Sequence, residues 1–269
     1  MSSVIQRMEA SASARLAVPP GRKPAEEIAR YKTFLKIETH RLKILHRAGA
    51  GGREICRARA AMFDMLLSSM WDAVKATLSE QAQKEFPNIA LVAIGGYGRA
   101  ELNPFSDIDF MFLHEGQVVA GNRPLPHLSK LIDGILYPLW DLGLKVGYSV
   151  RTIEDAVSAA QDDMQSKTSL IESRPVTGSE RLFKKLQKVV LAKCVEGRED
   201  EYITSRLEDQ AARHNKFGNS PSMQEPNIKN GAGGLRDYQN LLWMTFFKYG
   251  ARSLAELAQR DLISGAERR

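Results

Sequence analysis

The sequence is short of several things, and each shortage removes a class of protein. It has two cysteines, Cys56 and Cys194, far apart and in no CxxC pattern. That excludes a disulfide framework and a cysteine-rich zinc site, and leaves two free thiols as the expectation. No apolar run reaches the roughly 18–20 residues that a membrane helix needs. The five histidines (40, 46, 114, 127 and 214) form neither an HxxxH pair nor a His-Asp dipeptide, and they read as surface or capping residues. Aromatic residues make up 7% of the chain, with no interleaving of rings and basic residues of the kind that holds single strands. Nucleic acid is therefore not the expected partner, although the formal charge is +6. Acid is scarce in residues 1–23, where Glu9 stands alone among Ala, Ser and Arg. That composition suits an organelle-type leader or a disordered start, and the disordered start is the expectation. No apolar core of a secretory signal is present, and a cytoplasmic location is expected.

What is present is ordinary globular composition, 43% apolar and 26% charged in 269 residues. That length can bury one large core or two small ones. Residues 25–46 and 53–78 carry helical periodicity on either side of Gly49, Gly51 and Gly52, which predicts an antiparallel helical pair. After Pro87 the pattern changes. The run 89–94 (IALVAI) reads as a buried strand. The run 107–113 (DIDFMFL) alternates with period two and reads as a second. A wide apolar stripe predicts a helix over 127–142. A further strand is expected at 145–150, and Thr152 with Asp155 makes a capping box for a helix over 153–160. Helices are expected over 180–194 and 200–215. The glycine-rich stretch 225–237 then precedes a last helical segment.

Between the first two strands lies GGYGRAELNPFSDIDF, residues 95–110. Gly95 and Gly96 let a ligand approach the backbone, since no side chain intervenes. Backbone N–H groups in such a turn can hold phosphate, and Arg99 offers a cationic fork. Ser106 suits either a phosphate contact or a cap on the turn. Asp107 and Asp109, two apart on a strand, project from one face. Side by side they repel unless a cation lies between them. Mg²⁺, a hard cation that shares its shell among carboxylates, phosphate and water, is the expected ion. A lone glycine pair or a lone DxD is more often structural; a strand, a Gly-Gly turn and a DxD strand in sequence place phosphate ligands beside metal ligands.

This arrangement resembles the nucleotidyltransferase superfamily that includes DNA polymerase beta and kanamycin nucleotidyltransferase. The chain further resembles the bacterial protein-PII uridylyltransferase/uridylyl-removing family. The likeness runs through HRAGAGGREICRARAAMFDMLL, the glycine-to-DxD segment, LWDLGLKVGYSVRTIEDA and EPNIKNGAGGLRDYQNLLW, in that order. It implies an α/β (α+β) fold with a small mixed sheet flanked by helices. It implies transfer of UMP from UTP to a tyrosine of the PII signalling protein, with Mg²⁺ on Asp107 and Asp109, the triphosphate on Gly95, Gly96 and Arg99, and pyrophosphate leaving. The superfamily's third carboxylate has no counterpart in KVGYSV; Glu172 is the nearest candidate. The family's HD hydrolase and glutamine-sensing parts are not found in this sequence, so a fragment or a shortened member is expected. The implied organisation is a tail (1–23), a helical region (24–84), the nucleotidyltransferase core (85–177) and a helical region carrying GGLRD (178–269). Lys229 and Arg236 in that last motif suit either a second anion loop or a structural turn. An adenylyltransferase acting on a protein such as glutamine synthetase, or a non-catalytic nucleotide- or PII-binding module, are the competing readings.

Overall fold

The computed structural model describes residues 3–267 except 20, 85, 117, 118, 121, 122 and 125. The chain divides into two compact units, residues 1–159 with 169–188 and residues 160–168 with 189–269. The first unit thus absorbs the tail, the first helical region and the sheet. Its last segment ends at residue 188.

The start of the chain departs from expectation. Residues 3–15, expected to be disordered, form helix α1 (Ser3–Arg15), and Met8 is wholly buried. Alanine-rich text favours helix, and Met8 gives that helix an apolar anchor. Residues 1, 2 and 20 of the same stretch lie outside the described residues.

Helices α2 (Ile28–Arg47) and α3 (Gly52–Ala76) form the expected pair, turned at Gly49 with φ +95°. α3 buries Ile55, Ala58, Met62, Leu66, Met70 and Val74, a set repeating every three to four residues. A short helix, α4 (Glu80–Lys84), precedes β1 (Ile89–Ala93), all five of whose residues are buried. The four-residue helical turn α5 (Gly95–Gly98) leads by a linker to β2 (Ile108–His114). A two-stranded hairpin, β3 (Val119–Ala120) and β4 (Arg123–Pro124), follows. Helix α6 (Pro126–Asp141) buries Leu128, Leu131, Ile135, Leu136 and Leu139, but leaves Trp140 46% exposed, so its core stripe is narrower than the sequence suggested. Next come β5 (Val146–Arg151), α7 (Ile153–Asp162), α8 (Met164–Ile171) and β6 (Arg174–Gly178). The capping box ahead of α7 is formed. The Thr152 Oγ accepts from the Asp155 N–H at 3.0 Å, and Asp155 accepts from the Thr152 N–H at 3.0 Å.

The sheet has the order β5-β2-β1-β6. β2 runs antiparallel to β1 and parallel to β5, and β6 is antiparallel to β1. β2 is central, so Met111 and Leu113 are buried as completely as Phe110 and Phe112. The alternation read in the sequence holds only at its polar start, because both faces are covered further along. Ile108, Phe110 and Phe112 share a core with Phe63, Leu66 and Met70 of α3 and with Leu131 and Ile135 of α6. Burying each such side chain contributes about 1.5–3 kcal/mol before entropy is counted. β6 was not foreseen. Its Pro175 has no N–H to donate, which a sheet tolerates at an edge, and the β1–β6 register shifts beside it.

The helix expected over 180–194 is α9 (Glu180–Val190), continued as a π-helical turn, Leu191–Val195. The second unit contains α10 (Glu199–Lys216), α11 (Leu235–Tyr249) and α12 (Leu254–Gln259). Tyr202 stacks on Phe247 with ring centroids 3.6 Å apart. Arg206, 4% exposed, donates to the Tyr202 hydroxyl at 3.0 Å and to the Thr168 hydroxyl, and lies over the Trp243 ring. Among the described residues, no helix is long and apolar enough to cross a membrane.

Candidate active site

The site is built where β1 ends and β2 begins, adjacent because the two strands are antiparallel: Ala93 pairs with Phe110, and the Ile94 N–H donates to the Asp109 carbonyl at 3.0 Å. Gly95 follows at φ +56°, in the left-handed region that a side chain disfavours. A Cβ there would lie 4.0 Å from Asp109 Oδ2, so the turn and the carboxylate are direct neighbours. Gly98 is needed for packing. A Cβ on it would meet the Glu172 carbonyl at 2.4 Å.

The turn is locked by ion pairs. The fully buried Tyr97 donates its hydroxyl to Asp64 at 2.6 Å, and Arg174 grips the same carboxylate through both Nη atoms at 2.9 Å. Burial, then the Asp64 charge, push the Tyr97 hydroxyl far above its ordinary pKa, so it stays a donor. Arg99 donates from Nη1 to both oxygens of Glu172 at 2.7 Å and from Nε to Glu101 at 3.3 Å. Its guanidinium also lies next to Gly96, 3.6 Å from where a Cβ would stand. Glu172, the candidate third carboxylate, is thus the partner of Arg99. Among the described residues no group of three or more His, Cys, Asp or Glu side chains could hold a metal.

Asp107 and Asp109 are different. Among the described residues neither carboxylate accepts a hydrogen bond or pairs with a cation. Burial, then the neighbouring Asp107 charge, raise the pKa of Asp109. Across the parallel pairing Asp109 faces Gly147, and a Cβ there would stand 2.2 Å from Oδ1. Gly147 therefore creates the space the carboxylate occupies. Its signal was in the sequence, since a glycine inside a strand marks a close approach. Two uncompensated carboxylates at a strand mouth, one hemmed in by glycines on both sides, fit a hard divalent cation by donor type and charge. Ser106, one residue before, is exposed. Its N–H bonds the Asn103 carbonyl at 3.2 Å, and among the described residues its hydroxyl has no hydrogen-bond partner.

The linker Glu101–Ser106 has an unusual backbone. Ala100 and Phe105 have φ +56° and +68°, and Phe105 is 96% exposed. The histidines also sort differently than expected. His114 is buried in β2 with its pKa lowered by that burial, and His214 meets Asp237 at 2.9 Å. Asp237 also accepts from Arg213 at 2.6 Å and from the Gly233 N–H at 2.8 Å. Asn227 accepts from the Lys229 and Asn230 N–H groups. In the stretch 225–237 Asn227 is thus spent on the turn itself, and Asp237 is shared between the turn and α10. Both cysteines are free, as expected.

Sequence comparison bears on this geometry. Residues 201–269 match the family GlnD PII-uridylyltransferase, and residues 5–124 match the family glutamate-ammonia ligase adenylyltransferase. The chain is 38% identical over 226 residues to the bifunctional uridylyltransferase/uridylyl-removing enzyme of Erythrobacter litoralis, covering 84% of this chain and 24% of that protein. It is 35% identical over 220 residues to the same-named enzyme of Phenylobacterium zucineum, covering 81% and 23%. With that of Caulobacter vibrioides it shares 35% over 245 residues, covering 89% and 25%. The chain spans about a quarter of the length of the curated relatives it matches. Mixed sheet, glycine turn and flanking helices make the first unit a nucleotidyltransferase-like core. Over 81–89% of its length the chain is similar to proteins named bifunctional uridylyltransferase/uridylyl-removing enzyme.

Proposed function

We propose that the chain transfers UMP from UTP to a tyrosine of a PII signalling protein, using Mg²⁺ held by Asp107 and Asp109. The observation that carries this reading is the uncompensated carboxylate pair set against Gly95 and Gly147, in a chain whose relatives are named for uridylyl transfer. Bound there, the ion would supply Lewis-acid stabilisation of charge on the phosphoryl oxygens.

The protein's own part is positioning. Gly95 and Gly96 leave the backbone open to the triphosphate. Ser106 offers a hydroxyl at the edge of the same site. Arg99 stiffens the turn through Glu172 and Glu101, and its guanidinium remains beside Gly96. In the reaction the tyrosine hydroxyl gives up its proton to solvent water as its oxygen bonds to the α-phosphorus. The bond from that phosphorus to the bridging oxygen breaks, and pyrophosphate leaves with the electron pair.

A second reading, adenylyl transfer to a protein, is favoured by the match of residues 5–124 to glutamate-ammonia ligase adenylyltransferase. One experiment separates the two: transfer of radiolabelled UMP or AMP from its triphosphate to purified PII protein, with Mg²⁺, by the parent chain and by Asp107→Asn/Asp109→Asn. UMP labelling that disappears in the variant is the expected result. AMP labelling would favour the second reading, and no labelling by a folded chain would overturn the first.

A further inference from the structure

A cavity of about 620 Å³ opens in the first unit between α2, α3, the linker at Asn103–Ser106 and the turn at Gly143–Lys145. Its walls include Lys43, His46, Arg59 and Lys145, with Leu42 and Ile55 between them, and among the described residues no Asp or Glu lines it. Gly95, Gly96, Arg99, Asp107 and Asp109 are not among its walls, although Ser106 is.

The cations lining the cavity differ from the two that hold the glycine turn. Arg99 and Arg174 each hold a carboxylate through paired hydrogen bonds. Among the described residues, Lys43, Arg59 and Lys145 pair with no carboxylate. Arg59 is half-buried. Its guanidinium lies 5.1 Å from the Phe63 ring centroid, and its Nε is closed off from solvent without a hydrogen-bond partner. Burying a charged donor unsatisfied is costly, and gathering cations around one cavity adds repulsion. Burial lowers the pKa of Arg59, so its charged form is the one under strain. An anion in the cavity would offset the burial of the Arg59 charge and the repulsion among its neighbours, and the leucine and isoleucine walls favour one with a carbon body.

We propose that this cavity binds a small organic anion, a phosphate or carboxylate on an apolar body, through Arg59, Lys43 and Lys145 and without a metal ion. The cavity shares Ser106 with the edge of the candidate active site, and the carbonyl of its Lys145 accepts from the Ile108 N–H at 3.0 Å, between Asp107 and Asp109. An occupant would therefore bear on the position of the carboxylate pair.

The test is calorimetric titration of the full chain in EDTA with phenyl phosphate and, separately, benzoate. At least one probe is expected to bind, and to bind about tenfold more weakly to Arg59→Gln/Lys43→Gln/Lys145→Gln. Binding by phenyl phosphate alone assigns a phosphate ligand; comparable binding by benzoate extends the class to carboxylates. The exposed Lys145→Gln alone, which carries little folding risk, is expected to weaken binding about threefold. Asp107→Asn/Asp109→Asn should bind as the parent or more tightly, because it removes nearby negative charge. Binding by neither probe, equal binding by parent and Lys145→Gln, or loss of binding in the aspartate variant would each overturn the proposal. None of these outcomes depends on whether UMP transfer is observed.

Discussion

At the glycine end of the Gly95–Asp109 segment every charge is answered. Arg99 meets Glu172 and Glu101, and Arg174 and Tyr97 meet at Asp64. At the carboxylate end, some ten residues on, no charge is answered within the described residues, and the strand mouth is walled by glycine instead of by donors. The same short segment thus contains a rigid half and a half left electrostatically unfinished. A fold tolerates the second only if a ligand completes it, so the contrast points to where chemistry takes place.

The contrast breaks most sharply at the carboxylates. Under the proposed function, Asp107→Asn/Asp109→Asn should lower UMP transfer at least about a hundredfold, since an ion at this position supplies several kcal/mol. The same change should not harm the fold. Because the folded-state pKa of Asp109 is raised, the metal-free protein loses stability as pH rises from the ordinary aspartate range through that raised value. Thermal melts in EDTA should therefore show Asp109→Asn more stable than the parent at neutral pH, with the gap closing toward pH 4. A variant less stable than the parent at neutral pH would show that Asp109 has a structural partner after all.

Gly147→Ala sharpens the same comparison from the neighbouring strand. Its methyl would stand 2.2 Å from Asp109 Oδ1 and must push the carboxylate aside. Loss of transfer on the order of tenfold to a hundredfold is expected, with about 1–3 kcal/mol of stability, read by rate assay and urea melt on one preparation. On the rigid side, Asp64→Ala strands Arg174 and Tyr97 together and should cost about 1–3 kcal/mol in a denaturant melt. The smallest effect is expected outside the segment. Thr152→Ala removes the cap of α7 and should cost about 1 kcal/mol.

Much of this was legible in the sequence. The helical pair, β1, β2, β5, the capping box and the DxD mouth follow from periodicity and spacing. β6 was hidden by Pro175, which reads as a strand breaker until the strand is known to lie at an edge. α1 was hidden because serine, alanine and arginine suit a disordered tail as well as a helix, and only packing by Met8 decides between them. Glu172, which Arg99 grips most closely, and Asp64, the partner of Tyr97, lie 73 and 33 positions away, beyond any local pattern. Arg99 itself was read as a phosphate fork, whereas its Nη1 and Nε are bound to carboxylates.

Glu172 and Arg174 stand only two residues apart, yet each anchors a different residue of the glycine turn, Arg99 directly and Tyr97 through Asp64. The signature that identifies the site is therefore not the smallest piece that can operate it. A shorter polypeptide ending at residue 171 would keep every residue from Gly95 to Asp109 and lose both anchors together with the fourth strand. Domain boundaries drawn from the signature alone would cut through the clamp that gives it its shape.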